Sequence, residues 1–438
     1  MLASYFSSVG TINTMPSHLH VAIVGGGLGG IALAIALKAR NIPFTIYEAR
    51  SAFTEIGAGI NFAPNGLRAL REIDPSLGDR IYALATRNLP PSEDTWMWMR
   101  YGAGHRDGET VMELRAPPTG CMAMHRQELL AVLAEKMGYE HARFNKKLVS
   151  FEQDEDAVRL RFEDGTEESA SVLVGCDGIH SRVRACMFDS ESAVARPHFN
   201  GDGAYRAVIP IAHAEKVLGE TARQSQALLG PNGYVICYPV NNGTAVNVGI
   251  WVSRAGQVWD RKDWVATSQG EQFRRDLEGW GPRVRALMPF FGDEPAFWAA
   301  HQHRVQPASF VQGRVILVGD GAHAMPPHIG AGASQAVEDV YVLAEVLASI
   351  QPGDASLAAV RTALRAAESV RMPRFLAVQD ISVRAGPDWY SFFERGLEGD
   401  ELERFNLGMR ESVEWVWQVD LRDEVEKAKR TLAELRKA

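Results

Sequence analysis

Near the start of the chain, glycines and one acid are spaced for phosphate and ribose chemistry. Gly25, Gly27 and Gly30 stand in the order Gly-x-Gly-x-x-Gly, and Glu48 follows about twenty residues later. Each glycine has its own use. Gly25 allows a tight turn, Gly27 lets backbone approach a pyrophosphate, and Gly30 lets a helix pack closely on a strand. A helix opening here aims free N–H groups and a partial positive charge at phosphate. A carboxylate at position 48 can accept a ribose hydroxyl. The flanks supply the elements that position these residues. Residues 20–24 read as a buried strand, the Ala/Leu/Ile-rich run to Arg40 as a helix, and residues 44–47 as a second strand. Together they form a dinucleotide-binding βαβ unit. The chain holds only one such fingerprint, so one dinucleotide is kept and any second one visits.

A second landmark lies far downstream. Residues 315–318 are a short apolar run ending in Gly319-Asp320, followed by Pro326-Pro327 and then by Gly330-Ala331-Gly332-Ala333 at the start of a helix. Asp320 at a strand end can accept a ribose-type hydroxyl. The Gly330–Ala333 backbone can approach a planar ring, with the positive end of the following helix aimed at it. The same pattern also fits an ordinary connection between a strand and a helix. A third stretch, residues 174–184, reads Val-Gly-Cys-Asp-Gly-Ile-His-Ser-Arg-Val-Arg.

With these three signatures in this order, the chain resembles the single-component FAD-dependent aromatic hydroxylases, in particular the salicylate hydroxylase-like branch common in fungi. The resemblance covers roughly residues 20–380. The family pattern usually has Ala at position 321, where this chain has Gly. The resemblance implies tightly bound FAD, with NAD(P)H as a transient co-substrate and O2 as the oxidant. It also implies site residues. Glu48 is expected to bind the adenosine ribose, Ala58 and Gly59 to lie against the cofactor, and Arg126 to reach the pyrophosphate or ribitol. Asp320 is expected on the ribitol, and Gly332 and Ala333 facing the isoalloxazine. Asp177 and Arg182 are linked in the family to FAD and NAD(P)H binding; the competing reading is an internal Asp–Arg contact that holds the loop. His323 is expected to be a structural hydrogen-bonder of its loop.

Two further residues suit substrate chemistry. Arg206 lies in an apolar strand, where an unpaired charge is costly. Tyr238 lies on another strand of the same region. In the branch acting on resorcinol-like polyketides, matching Arg and Tyr residues hold the substrate as a phenolate. A phenolate attacks the electrophilic C4a-hydroperoxyflavin far better than a phenol does, and a nearby cation lowers the phenol pKa. In the bland alternative, Arg206 pairs with an acid and Tyr238 is a strand aromatic. The expected activity is hydroxylation of a phenolic aromatic, salicylate-like or polyketide. Hydroxylative dearomatisation of a resorcinol-type polyketide shares the mechanism. A non-oxygenating flavin-binding redox module and an alkene reductase of related fold are the alternatives from other classes.

The expected fold is α/β: a Rossmann-like FAD-binding domain with an inserted β-sheet substrate domain and C-terminal helices. Its divisions are a disordered tail over 1–19, FAD-binding segments over 20–190 and 311–380, a substrate domain over 191–310, and a helical segment over 381–438. Trp415 and Trp417 are expected to anchor that last segment. At 438 residues the chain can bury more than one core, and 46% hydrophobic with 23% charged residues is an ordinary soluble composition. A formal net charge of −8 argues against nucleic acid as a partner. No apolar run is long enough to span a bilayer. Cys121, Cys176, Cys186 and Cys237 are scattered without metal-ligand spacing, so no metal is expected and a reducing compartment, the cytoplasm, fits. Residues 1–19 lack Lys, Arg, Asp and Glu and do not read as a signal peptide.

Overall fold

The computed structural model of the chain describes residues 19–54 and 59–437. A six-stranded, mainly parallel sheet runs in the order Val311–Gln312, Val315–Leu317, Val172–Gly175, Val21–Val24, Phe44–Tyr47, Ala142–Arg143. The reason Val21–Val24 is apolar at every position is that both faces of this sheet are covered. Val21, Ile23, Val172 and Val174 face helices Leu28–Ala39, Arg126–Met137 and Gly332–Leu347. Ala22, Val24, Leu173 and Leu317 face a small antiparallel sheet of Leu148–Gln153, Val158–Phe162 and Glu167–Ala170.

The second large sheet has eight strands, ordered Val265–Ala266, Phe297–Gln302, His198–Pro210, Ala245–Ser253, Gly233–Val240, Gln226–Gly230, Thr95–Tyr101, Thr110–Arg115. Here too both faces are buried. Tyr205, Val235, Val248 and Ile250 pack under helices Ile211–Leu218 and Gly270–Asp276. Ala204, Tyr234, Tyr238, Trp251 and Met99 form the opposite face, turned toward helix Leu357–Tyr390. Among the described residues, no helix is long and apolar enough to cross a membrane.

This topology corrects the expected boundaries in two places. The interval 191–310 leaves out Thr95–Tyr101 and Thr110–Arg115, which extend the large sheet because Thr95–Tyr101 pairs in parallel with Gln226–Gly230. The division at 380 and 381 falls inside a continuous helix, Leu357–Tyr390. Of the two tryptophans expected as anchors, Trp417 is buried against Trp96, whereas Trp415 is 48% exposed with Arg374 over its ring.

A buried charged cluster ties helix Gly332–Leu347 to its neighbours. Glu338 accepts from Arg374 at 2.7 and 2.9 Å and from Asn65 at 2.7 Å, and it pairs with Arg371 at 2.7 Å. Asp339 accepts from Arg371 at 2.9 Å and from the Gly319 amide at 3.0 Å, and it lies 2.6 Å from His323 Nε2. Burial alone raises both carboxyl pKa values, but the surrounding cations and hydrogen bonds outweigh it and leave both lowered. Depressed folded-state values stabilise the protein above the unfolded carboxylate range, near pH 4. That stability is lost as pH falls through the folded values. Arg371→Leu strips one cation from two buried carboxylates. It is expected to cost about 3–5 kcal/mol, read as a lower urea midpoint at pH 7, and the deficit should shrink as the medium is acidified below the carboxylate range.

Candidate cofactor and substrate site

The glycine turn follows directly from the strand before it. Gly25 has φ +105°, and a Cβ there would stand 2.5 Å from the Cys176 carbonyl oxygen. A Cβ on Gly30 would stand 2.0 Å from the Gly25 carbonyl oxygen. No side chain fits at either position without moving backbone. Gly27 caps helix Leu28–Ala39 with no side-chain hydrogen bond, and no acid occupies the first turn. The helix N–H groups are thus left for a phosphate. Glu48 leans over the turn: its Oε2 accepts from the Gly26 amide at 2.7 Å and its Oε1 from the Arg50 amide at 2.8 Å. A ribose hydroxyl can reach the same carboxylate. Phe53, unremarked in the sequence, packs so close that a Cβ on Gly26 would meet its ring at 2.4 Å.

Asp320 heads the short helical turn Asp320–His323 and is exposed, with no hydrogen bond from any described residue. A Cβ on Gly332 would come within 3.8 Å of its Oδ1. The turn after one strand and the start of another helix therefore converge. Helix Gly332–Leu347 has no side-chain cap and no acid in its first turn, and Gly332 and Ala333 are half-buried. Its uncapped amides suit an electron-rich ring system. His323 is buried and bonded to Asp339, which fits a structural role.

Asp177 spends both carboxylate oxygens on its own loop. It accepts from Ser181 Oγ at 2.5 Å and from the amides of Arg182 and Val183 at 2.6 and 3.1 Å. Burial raises its pKa, opposed by these bonds. The internal contact is real, but it runs to the Arg182 backbone; the guanidinium donates instead to the Val149 carbonyl at 2.7 Å. What this loop brings to a cofactor is position, since Asp177 Cα lies 2.8 Å from where a Gly25 Cβ would stand.

Ala58 lies outside the described residues. Gly59 opens strand Gly59–Phe62, which pairs with Met122–His125, so Gly59 sits opposite His125 and beside Arg126. A Cβ on Gly59 would stand 2.7 Å from the Tyr238 hydroxyl. A cofactor-side strand and a substrate-side residue thus touch.

In the large sheet, Arg206 pairs across with Gly249, Gly249 with Ile236, and Tyr238 with Asn247. Arg206, Gly249, Ile236 and Tyr238 therefore share one face. Arg206 forms no ion pair or hydrogen bond with any described residue; its guanidinium lies 5.6 Å from the Trp298 ring and 6.0 Å from the Trp251 ring. It is exposed by area, yet desolvation still lowers its pKa. Tyr238 is buried, and its pKa is raised by burial and by Cys121, against the pull of Arg206 and Arg126. Arg126 acts electrostatically on both. Gly249 and the two tryptophans escaped the sequence reading because only strand register shows what faces Arg206.

Fold and site define a dinucleotide-binding protein whose second sheet carries Arg206 and Tyr238 on one face. The FAD binding domain family matches residues 18–378. The chain is 34% identical over 415 residues to 6-methylsalicylate 1-monooxygenase atA of Aspergillus terreus, covering 93% of this chain and 91% of that one. It is 33% identical over 428 residues to a salicylate hydroxylase of Pseudomonas putida, covering 94% and 95%. A solved salicylate hydroxylase substrate complex superposes with TM-score 0.81 at 27% identity, covering 94% of this chain and 98% of that one. The chain belongs to this FAD-binding family and is an FAD-dependent aromatic monooxygenase.

The geometry of the turn sets an expectation. Gly30→Ala must push the Gly25 carbonyl aside, so FAD affinity is expected to fall at least about tenfold, ~1.4 kcal/mol. The flavin-to-protein absorbance ratio of purified protein, followed by FAD titration, measures it; far-ultraviolet dichroism should stay unchanged.

Proposed function

We propose that the enzyme uses NAD(P)H and O2 to hydroxylate a phenolic acid of the salicylate type, held as its phenolate by Arg206 and Tyr238. The observation that carries this reading is the guanidinium of Arg206, without an acidic partner among the described residues and near the Trp251 and Trp298 rings on the sheet face that also carries Tyr238. A cation left without a counter-ion on a mainly apolar sheet face favours an anionic ligand as its complement. Relatives named for salicylate and 6-methylsalicylate support a ring bearing both a carboxylate and a hydroxyl.

Bound FAD supplies the redox chemistry, accepting reducing equivalents from NAD(P)H and passing one oxygen atom of O2 to the ring, the other leaving as water. Glu48 and the uncapped amides after Gly27 would hold its ribose and pyrophosphate. Asp320 and the Gly332 helix would hold its far end. The remaining work belongs to the protein. A cation within about 4–6 Å lowers an acid's pKa by roughly 1–3 units. At Arg206 that shifts the bound phenol toward its ionised form. Tyr238, kept neutral by burial, donates a hydrogen bond to the phenolate oxygen and orients the ring. Arg126, at the start of helix Arg126–Met137, would reach the pyrophosphate or ribitol of the FAD. Use of NAD(P)H and the free cysteines support an intracellular enzyme.

A panel of phenolic acids and resorcinol aldehydes, scored by phenol-stimulated NAD(P)H oxidation and product mass, tests this. Carbon dioxide release marks salicylate-type hydroxylation. Gain of one oxygen with loss of ring absorbance marks dearomatisation instead. FAD-loaded enzyme that no phenol stimulates overturns the reading. Arg206→Ala is expected to lower kcat/KM about 100-fold, ~2.7 kcal/mol. The loss should narrow for a nitro-substituted phenolic acid, which arrives already ionised at the assay pH.

A further inference from the structure

Strand register gathers three hydrogen-bond donors around Gly249 on the large sheet. Gly249 pairs with Arg206 on one side and with Ile236 on the other. Asn247 and Trp251 stand two residues before and after it, so their side chains rise from the same face. Asn247 in turn pairs with Tyr238. Like the Arg206 guanidinium, the Asn247 carboxamide and the Trp251 indole N–H form no hydrogen bond with any described residue, although Asn247 and Trp251 are only 8% and 7% exposed. We propose that Asn247 and Trp251 bind the carboxylate of the phenolic acid, next to the phenolate held by Arg206 and Tyr238, and so set the preference for that substituent. This rests on the reading of Arg206 and Tyr238 as the phenolate's partners.

Polar groups this deeply placed are normally paired, because an unpaired one keeps the cost of its lost hydration. Asn65 donates to Glu338 at 2.7 Å and Asn88 to the Thr95 carbonyl at 2.8 Å. Asn247 has no such acceptor, and a ligand oxygen supplies one. The indole is held in place, stacked with Tyr234 at 6.2 Å and edge-on to His328 at 5.8 Å. A Cβ on Gly249 would stand 3.4 Å from Trp251 Nε1. The N–H edge of the indole thus lies beside the glycine that separates it from Asn247. Val208, the other cross-strand neighbour of Asn247, is 48% exposed, so the face is open on that side.

The donor set suits a carboxylate better than other ring substituents. An indole N–H and a guanidinium only donate, a carboxamide offers two N–H groups, and an ionised carboxylate only accepts. A second ring hydroxyl brings a proton that these donors cannot receive, and a methyl group meets none of them. The spacing fits adjacent ring positions. Directly paired residues have Cβ atoms about 5 Å apart and diagonal ones about 7 Å. Asn247 is directly paired with Tyr238 and diagonal to Arg206. The bound substrate then carries two negative charges, and the charge of Arg126, which acts on both Arg206 and Tyr238, adds to that of Arg206.

The test titrates FAD-loaded enzyme, without NAD(P)H, with 2-hydroxybenzoate and with phenol, and reads Kd from the shift in flavin absorbance. Wild type is expected to bind 2-hydroxybenzoate at least about tenfold more tightly than phenol. Asn247→Leu and Trp251→Phe are each expected to cut that preference about tenfold. Asn247→Asp, which sets a carboxylate against the substrate's own, is expected to abolish it. The same ratios should appear in kcat/KM for phenol-stimulated NAD(P)H oxidation. Taking the ratio of two ligands on one variant separates recognition from general damage. Equal losses for both ligands mark a structural role and overturn the inference. So does a wild type without preference for 2-hydroxybenzoate; where phenols still stimulate NAD(P)H oxidation, the monooxygenase reading stands. A wild type that binds neither ligand and that no phenol stimulates overturns both.

Discussion

Adjacent carboxylates with essentially no exposed surface, Glu338 and Asp339, set the geometry on which the flavin side depends. From one helix turn they share Arg371 and otherwise take different partners. Glu338 takes Arg371, Arg374 and Asn65, while Asp339 takes Arg371, His323 and the Gly319 amide. The first set fixes the helix against Leu357–Tyr390 and Pro64–Ile73. The second fixes the Gly319-Asp320 turn against the same helix, four residues of sequence from His323 at one end and a dozen or so from Gly332 at the other. A hydrophobic substitute of equal volume could hold the helices as tightly. It could not bind a backbone amide and an imidazole, and those contacts are what keep Asp320 beside Gly332. The cluster is better understood as a device for position than for stability.

The parts of the molecule that could be read from the chain are those that local backbone geometry dictates. A turn that needs φ +105° at Gly25, and a helix that tolerates no Cβ at Gly30, leave glycines at fixed spacing. The same holds for Glu48, which only has to end the next strand. Pairings between distant segments leave no such mark. Nothing in Thr95–Tyr101 announces that it will join Gln226–Gly230, because an apolar alternating strand fits any open edge. The long helix carries Pro373 and Pro387 yet runs unbroken to Tyr390, so an expected end near 380 was misplaced. Trp415 was taken for an anchor by residue type alone, whereas its neighbour two positions on takes the buried face. At the site, Arg206 and Tyr238 stood out by chemistry, but that Gly249 clears the space between them is a matter of register.

The two half-sites meet along a narrow seam. The strand that opens with Gly59 belongs to the cofactor side through its pairing with Met122–His125, and it is Tyr238 of the large sheet that lies against its first residue. One glycine therefore sets how near the substrate residues come to the cofactor. Any side chain at 59 would displace the phenol ring of Tyr238 and move the recess relative to the Gly332 helix. Arg126, next to the residue paired with Gly59, is close enough to act on both Arg206 and Tyr238.

An acidic protein that admits anions needs this arrangement. The formal net charge is −8, so the outer field repels both a phenolate acid and a nicotinamide dinucleotide. At physiological salt that field is screened within about 8 Å, and it cannot reach into a recess walled by protein. Close to the protein, charges nearby decide. Arg206 has no competing carboxylate among the described residues, so its attraction is not spent on an internal pair. A recess beside helix Leu357–Tyr390 has the opposite sign, with Asp202 and Glu394 in its lining. An anion is therefore drawn toward Arg206 and turned from that recess.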